Sequence, residues 1–114
     1  MTSEGLPRTW RLTRGTELKA VLEHGRRRRT PRFDIAWRPN ELAHPRLGVV
    51  VPRYRQTAVA RNRLRRRVRE IARRQLLREL PPLDFVIRPR PMAYSASPAV
   101  LAEDLVQWRE SLQQ

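Results

Sequence analysis

Apolar residues recur along the chain with different periods, and these periods predict its secondary structure. Apolar residues three or four positions apart form one face of a helix, whereas alternating or continuous apolar residues indicate a strand. The patterns predict helices at 16–24 and 98–111 and strands at 32–38, 47–51 and 83–88. Residues 1–10 show neither period and are expected to be loosely ordered, and 89–98 is expected to be a loop.

The longest periodic segment begins at Thr57 and runs to about Leu80, where two prolines close it. Its apolar residues, including Leu64, Val68 and Ile71, fall in one arc of a helical wheel. The predicted element order is therefore α-β-β-α-β-α. Two strands that flank a long helix indicate a βαβ unit. We expect a single domain over residues 1–114, an α+β or α/β sandwich with a small central sheet.

Charge changes this picture most on the long helix. The chain has 25 basic and 11 acidic residues, a formal net charge of +14, and every basic residue except Lys19 is arginine. Such a surplus attracts polyanions, and the planar arginine fork can grip a phosphate at two points. Residues 58–80 hold nine arginines against two glutamates, and a phosphate partner would relieve their repulsion. A nucleic acid partner is therefore predicted, with a solvated charged face as the simpler interpretation.

Other chemistries find little support in the sequence. The absence of cysteine excludes disulfides, cysteine-based zinc sites and redox motifs. Because the two histidines are far apart, the acids scattered and the four glycines isolated, we predict no metal site and no catalytic residues. The longest apolar run is too short to span a membrane. Without an apolar signal segment at the N-terminus, we expect a cytoplasmic protein that makes no membrane contact.

The start of the long helix carries an ordered motif, formed by Ala58-Val59, Arg61-Asn62-Arg63 and the basic residues that follow at Arg65, Arg66 and Arg69. This motif resembles the signature of the bacterial ribonuclease P protein subunit. Weaker likenesses at 17–25, 46–51 and 84–88 extend it to about residues 8–112, nearly the whole chain. Each of these flanking likenesses is weak evidence alone, but their order around the Arg-Asn-Arg helix makes the resemblance to this family specific.

This resemblance implies a fold and a function. The family's fold is a small α/β sandwich whose βαβ crossover is left-handed, although general sheet physics favours the right-handed form. The family's catalyst is an RNA that uses Mg²⁺ to remove the 5′ leader from precursor tRNA. The resemblance therefore implies an endoribonuclease subunit that binds ribonuclease P RNA and precursor tRNA. It also implies one protein for each RNA, with Mg²⁺ held chiefly by the RNA.

The resemblance also assigns candidate residues to the two RNAs. The catalytic RNA would be bound by Arg53, Arg55, Arg61, Asn62, Arg63, Arg66, Arg67 and Arg69. The leader would lie in a cleft beside the sheet, formed by Leu18, Leu22 and Phe33 on its floor with Arg11, Arg65, Arg88 and Arg90 around it. The chain departs from the family pattern in two ways: Leu18, Leu22 and Ala36 replace its usual aromatics, and the turn before the long helix lacks its glycine.

The main alternative is a ribosomal or RNA-chaperone protein, since the same basic α/β body could bind RNA in a purely structural role. Composition does not separate the two functions, and salt dependence separates them poorly because every phosphate binder weakens with salt. A preference for precursor over mature tRNA would distinguish them.

Overall fold

Three helices and four strands make up residues 6–112 of the computed structural model, which are the residues the structure describes. The helices are α1 (Gly15–His24), α2 (Ala58–Gln75) and α3 (Pro98–Ser111). The strands are β1 (Arg26–Arg29), β2 (Phe33–Pro39), β3 (Arg46–Val49) and β4 (Leu83–Pro89). Short 3-10 turns lie at Arg8–Trp10, Leu77–Glu79 and Pro91–Ser95.

The four strands form one mixed sheet in the order β1-β2-β4-β3. β1, β2 and β4 pair antiparallel, whereas β3 runs parallel to β4 and connects to it through α2. This confirms the α+β class and the βαβ unit, while the left-handed crossover stays a prediction of the resemblance. β3 lies at the sheet edge rather than in its interior, and the N-terminal segment bridges its outer side between Arg11 and Leu47.

The two faces of the sheet carry different cores. Phe33 and Ile35 of β2 and Phe85 and Ile87 of β4 point to one face, where they pack with α2 and α3. The alternate residues of both strands point to the other face, where Ala36 and Val86 pack in a smaller cluster with α1. The sheet therefore separates α1 from α2 and α3, and this separation decides which predicted site residues can meet.

Helix α2 begins and ends for identifiable reasons. The Thr57 side chain accepts a hydrogen bond from the backbone N–H of Ala60 at 3.0 Å and caps the first turn. The helix ends at Gln75, earlier than predicted, because Leu76 and Leu77 are both buried and a tighter 3-10 turn points both inward. No helix in residues 6–112 is long and apolar enough to cross a membrane.

Two segments have more structure than predicted. β1 consists of four arginines, so it has no apolar alternation that could predict a strand, and its pairing with β2 alone defines it. Residues 6–10 were expected to be loosely ordered, but they form a 3-10 turn and bury Leu6, which is 5% exposed. Residues 1–5 of that expectation lie outside the described residues.

The turn before α2 adopts a left-handed backbone without glycine. Tyr54 and Arg55 have φ angles of 43° and 63°, and the Gln56 N–H donates to the Arg53 carbonyl at 2.7 Å to close the turn. A left-handed conformation costs a non-glycine residue about 1–2 kcal/mol. The chain thus keeps two arginines at a turn where the resemblance leads one to expect a glycine, and it does so at a cost in backbone strain.

Candidate nucleic-acid interface

The N-terminal segment and α2 enclose a cavity of about 340 Å³. It is lined by Leu6, Arg11, Asn62, Arg65, Arg66, Arg69, Glu70 and Arg73, and we call it the arginine cavity. Its α2 residues recur every three or four positions, so the helix itself places them on one face. Arg11 completes the opposite wall, where its Nε donates to the Leu6 carbonyl at 2.9 Å.

Positive charge is concentrated in this cavity. Much of the Arg69 side chain is accessible to solvent, yet desolvation by the surrounding protein lowers its pKa, and repulsion from Arg11 and Arg65 lowers it further. Within residues 6–112, no carboxylate lies within ion-pair distance of any of these three arginines. An anion placed between them would relieve the repulsion, and phosphate is the anion that the arginine fork binds best.

The one acid among the residues that line the cavity, Glu70, pairs with two arginines. The Glu70 carboxylate lies 2.7 Å from Arg73 and 2.6 Å from Arg74, towards the C-terminal end of α2. The hydrogen bond from Arg73, together with the charges of both arginines, lowers the pKa of Glu70. The carboxylate therefore stays ionised and orders the C-terminal half of the surface, while the N-terminal half keeps its surplus of positive charge.

Asn62 orients Arg65 within the cavity. The Arg65 Nη1 donates to the Asn62 Oδ1 at 2.6 Å, across one turn of the helix. This bond uses one of the five N–H donors of the guanidinium and leaves the others for a ligand. The asparagine of the Arg-Asn-Arg motif thus has a positioning role that spacing alone did not predict.

Arg61, the first arginine of the motif, lies outside the arginine cavity. Its Nε is buried, as is the hydroxyl of Tyr94, and neither atom has a hydrogen-bond partner among the described residues. Burial raises the pKa of Tyr94, while the positive charges of Arg61 and Arg65 oppose the rise. Tyr94 comes from a 3-10 turn in the segment predicted to be a loop, and no sequence signal links it to the motif.

The remaining predicted RNA-binding residues lie around the arginine cavity rather than in it. Arg63 and Arg67 line a groove of about 550 Å³ between α2 and α3, and Arg66 borders both this groove and the cavity. Arg53 and Arg55 are exposed on the strained turn before α2. The predicted set is therefore spread over one continuous arginine-rich side of α2.

A second cavity, of about 260 Å³, lies on the opposite face of the sheet beside α1. We call it the α1 cleft, and its lining is Leu22, Arg27, Arg28, Arg29, Asp34, Ile35, Ala36 and Arg88. Leu22 and Arg88 are thus brought together as predicted for the leader-binding residues. Leu18 packs in the small core on this face, next to Gly48, where a Cβ would stand 2.5 Å from the Leu18 Cδ2.

The structure contradicts one predicted leader contact and places three others outside the α1 cleft. Phe33 is fully buried in the main core on the other face of the sheet, so its placement on the cleft floor was wrong. Arg90 donates to the Thr30 carbonyl at 2.7 Å and braces the turn between β1 and β2. Arg11 and Arg65 line the arginine cavity instead of the cleft. The strand alternation explains the Phe33 error, because neighbouring residues of β2 face opposite sides of the sheet.

The acidic residues do not assemble into a metal site. Within residues 6–112, no group of three or more His, Cys, Asp or Glu side chains could hold a metal ion. The buried Asp84 pairs with Arg46 at 2.8 Å, and the buried Asp104 accepts from Thr30 at 3.2 Å. Both buried carboxylates are thus engaged in contacts within the protein.

Comparisons with known proteins agree on one family. The family model described as Ribonuclease P matches residues 6–113. The ribonuclease P protein component of Mycobacterium avium is 43% identical over 106 residues, which cover 88% of each chain. That of Methylococcus capsulatus is 39% identical and covers 89% of this chain and 79% of its own length. The solved RNase P protein from Thermotoga maritima, in complex with 1-(4-fluorophenyl)-2-thiourea, superposes with a TM-score of 0.79 at 30% identity, over 87% of this chain and 96% of that one.

Proposed function

The chain belongs to the ribonuclease P protein family, and we propose that it binds ribonuclease P RNA on one side of its sheet and the 5′ leader of precursor tRNA on the other. In this proposal it acts as one protein per RNA within a tRNA-processing endoribonuclease. The chemistry of cleavage is carried by the RNA subunit, and this chain supplies affinity and position.

The arginine cavity is the observation that carries the proposal. Arg11, Arg65 and Arg69 line a space in which, among residues 6–112, no carboxylate lies within ion-pair distance of them. RNA phosphates entering it would release counterions, which is the main source of affinity in nucleic-acid binding. Because Arg66 connects the cavity to the groove along α3, one folded RNA could contact the whole side of α2.

The α1 cleft offers the leader a different kind of contact. Its apolar part, at Leu22 and Ala36, is small and aliphatic, while Arg27 and Arg88 provide donors for phosphates. Without an aromatic ring, the cleft lacks the stacking that contributes roughly 1–3 kcal/mol per base in other single-strand binders. We therefore propose that it recognises the backbone and shape of the leader more than its bases.

The proposal assigns no catalytic step to this chain. Guanidinium groups stay protonated at physiological pH and serve as donors rather than as general bases. The requirement for Mg²⁺ stays a prediction of the family resemblance. In the proposal the ion is held chiefly by the RNA subunit.

Reconstitution tests the proposed function. Precursor tRNA is incubated at low Mg²⁺ with a bacterial ribonuclease P RNA, with this protein, or with both. We expect cleavage of the leader to be stimulated only in the combined reaction. Stimulation that is equally strong for the Arg65→Ala/Arg69→Ala variant would contradict the role of the arginine cavity.

Two other outcomes would contradict the proposal in different ways. Tight binding to many RNAs without stimulation would favour the ribosomal or chaperone alternative. Cleavage by the protein alone would reveal a catalytic site in this chain. Mature tRNA serves as the binding control, since only the precursor carries a leader.

A further inference from the structure

We propose that a groove beside β1 binds a segment of single-stranded RNA, on the sheet edge opposite the arginine cavity. The inference rests on the proposed function, to which it adds a second RNA-binding edge. The groove has a volume of about 820 Å³ and runs past β1, the end of β2 and the start of β4. Its lining includes Arg26, Arg28, Trp37, Arg38, Pro81 and Pro82, and we call it the β1 groove.

Unpaired positive charge is the first observation that supports it. All four arginines of β1 are exposed, and Arg29 pairs with Asp34 at 2.9 Å. Within residues 6–112, no carboxylate lies within ion-pair distance of Arg26 or Arg28, and no acidic residue is among those that line the β1 groove. Adjacent like charges repel one another, and the phosphates of an RNA backbone would neutralise them.

An aromatic ring in the same groove is the second observation. Trp37 stands directly across the β1–β2 ladder from Arg26. Its ring contacts Trp108 edge-on, with ring centroids 5.5 Å apart, and is only partly buried. Proteins bind single-stranded nucleic acid with this combination, in which bases stack on rings and cations follow the backbone. A duplex keeps its bases stacked inside and could use only the charges.

A charged edge strand also has a simpler role, because charge prevents sheet edges from pairing with each other. That role needs only the arginines of β1 itself. It does not account for Trp37 and Arg38 of β2, which line the same groove as Arg26.

The position of the groove indicates how the RNA would reach it. Arg27 and Arg28 line both the α1 cleft and the β1 groove. An RNA strand bound in the cleft therefore enters the groove by passing over the β1 edge. A long 5′ leader and a single-stranded segment of the RNA subunit offer the same chemistry, and an experiment can separate the two sources.

The test compares two double variants in complex with a bacterial ribonuclease P RNA. Arg26→Ala/Arg38→Ala removes two charges from the β1 groove, and Arg14→Ala/Arg78→Ala removes two exposed charges that line none of the cavities described. Affinity is measured for precursor tRNA with a short leader, for precursor tRNA with a long leader, and for the RNA subunit alone. We expect the groove variant to bind the long-leader substrate about tenfold more weakly, a loss equivalent to one charged hydrogen bond. Its affinities for the short-leader substrate and for the RNA subunit should stay unchanged.

Each other outcome has a defined meaning. A tenfold loss for the RNA subunit instead of the long leader would still support the groove and would identify the RNA subunit as the source of the segment. A groove variant that matches the control variant in all three affinities would overturn the inference. This holds even if the variant self-associates, because self-association would reflect only the simpler role of charge at a sheet edge. Failure of the unmodified protein to bind the RNA subunit would overturn the proposed function itself.

Discussion

The arginine cavity and the α1 cleft are built in opposite ways. The cavity takes most of its lining from consecutive turns of α2, whereas the cleft is assembled from α1, β1, β2 and β4. Among residues 6–112, Arg65 and Arg69 of the cavity have no carboxylate partner, while the cleft contains Asp34, which pairs with Arg29. Under the proposed function, this difference would let the cavity supply RNA affinity and the cleft supply selectivity between RNAs.

The largest expected effect is on protein stability, and it tests whether the Phe33 side chain lies in the main core or in the α1 cleft. Because Phe33 is fully buried in the main core, Phe33→Ala should destabilise the free protein by about 3–5 kcal/mol. Thermal unfolding measures this, and Leu22→Ala is the control because Leu22 is only partly buried in the α1 cleft. A Phe33→Ala protein of normal stability that lost its preference for precursor tRNA would return Phe33 to the leader-binding set.

The next effect concerns the arginine cavity. Arg65→Ala/Arg69→Ala should weaken binding of ribonuclease P RNA by about 100-fold or more, because each residue would lose a charged hydrogen bond. The slope of log affinity against log salt should also fall by about 1.5. Filter binding at several salt concentrations checks both values. The same loss in Arg14→Ala/Arg78→Ala would mean that total charge, and not the cavity, determines affinity.

A smaller effect sharpens the role of the α1 cleft. Leu22→Phe places an aromatic ring where the resemblance leads one to expect one. The preference for precursor over mature tRNA should increase by about fivefold, which is the lower end of a stacking contribution. The ratio of the two dissociation constants is the measurement, with ribonuclease P RNA binding as the control. Unchanged or reduced discrimination would place the leader outside this cleft.

The arginine cavity was largely predictable because its residues are neighbours on one helix. Asn62, Arg65, Arg66 and Arg69 follow the helical period, so their spacing alone puts them on one side of α2. The contributions of Leu6 and Arg11 come from a segment without periodicity, which β3 orders through long-range pairing. Long-range pairing of this kind leaves no local pattern in the sequence, so residues 6–10 were expected to be loosely ordered.

The α1 cleft was harder to predict because it depends on the sheet. A change of one position along β2 moves a side chain from one face to the other, and the resemblance did not fix the face of Phe33. β1 was missed since four arginines carry no hydrophobic pattern. Helix α3 and strand β4, which have strong apolar patterns, were predicted within one residue of their observed ends.

The central claim is that the arginine-rich side of α2 contacts the RNA subunit while the α1 side contacts the leader, and directed cleavage tests it most directly. The chain has no cysteine, so Val59→Cys on α2 and Glu23→Cys on α1 each give one attachment point for an iron chelate that cuts nearby RNA. Val59 is 67% exposed and lies one turn before Asn62. In the complex with precursor tRNA, we predict cuts in the RNA subunit from position 59 and in the leader from position 23. An intact RNA subunit with the chelate at position 59, in a complex that still cleaves precursor tRNA, would contradict the account.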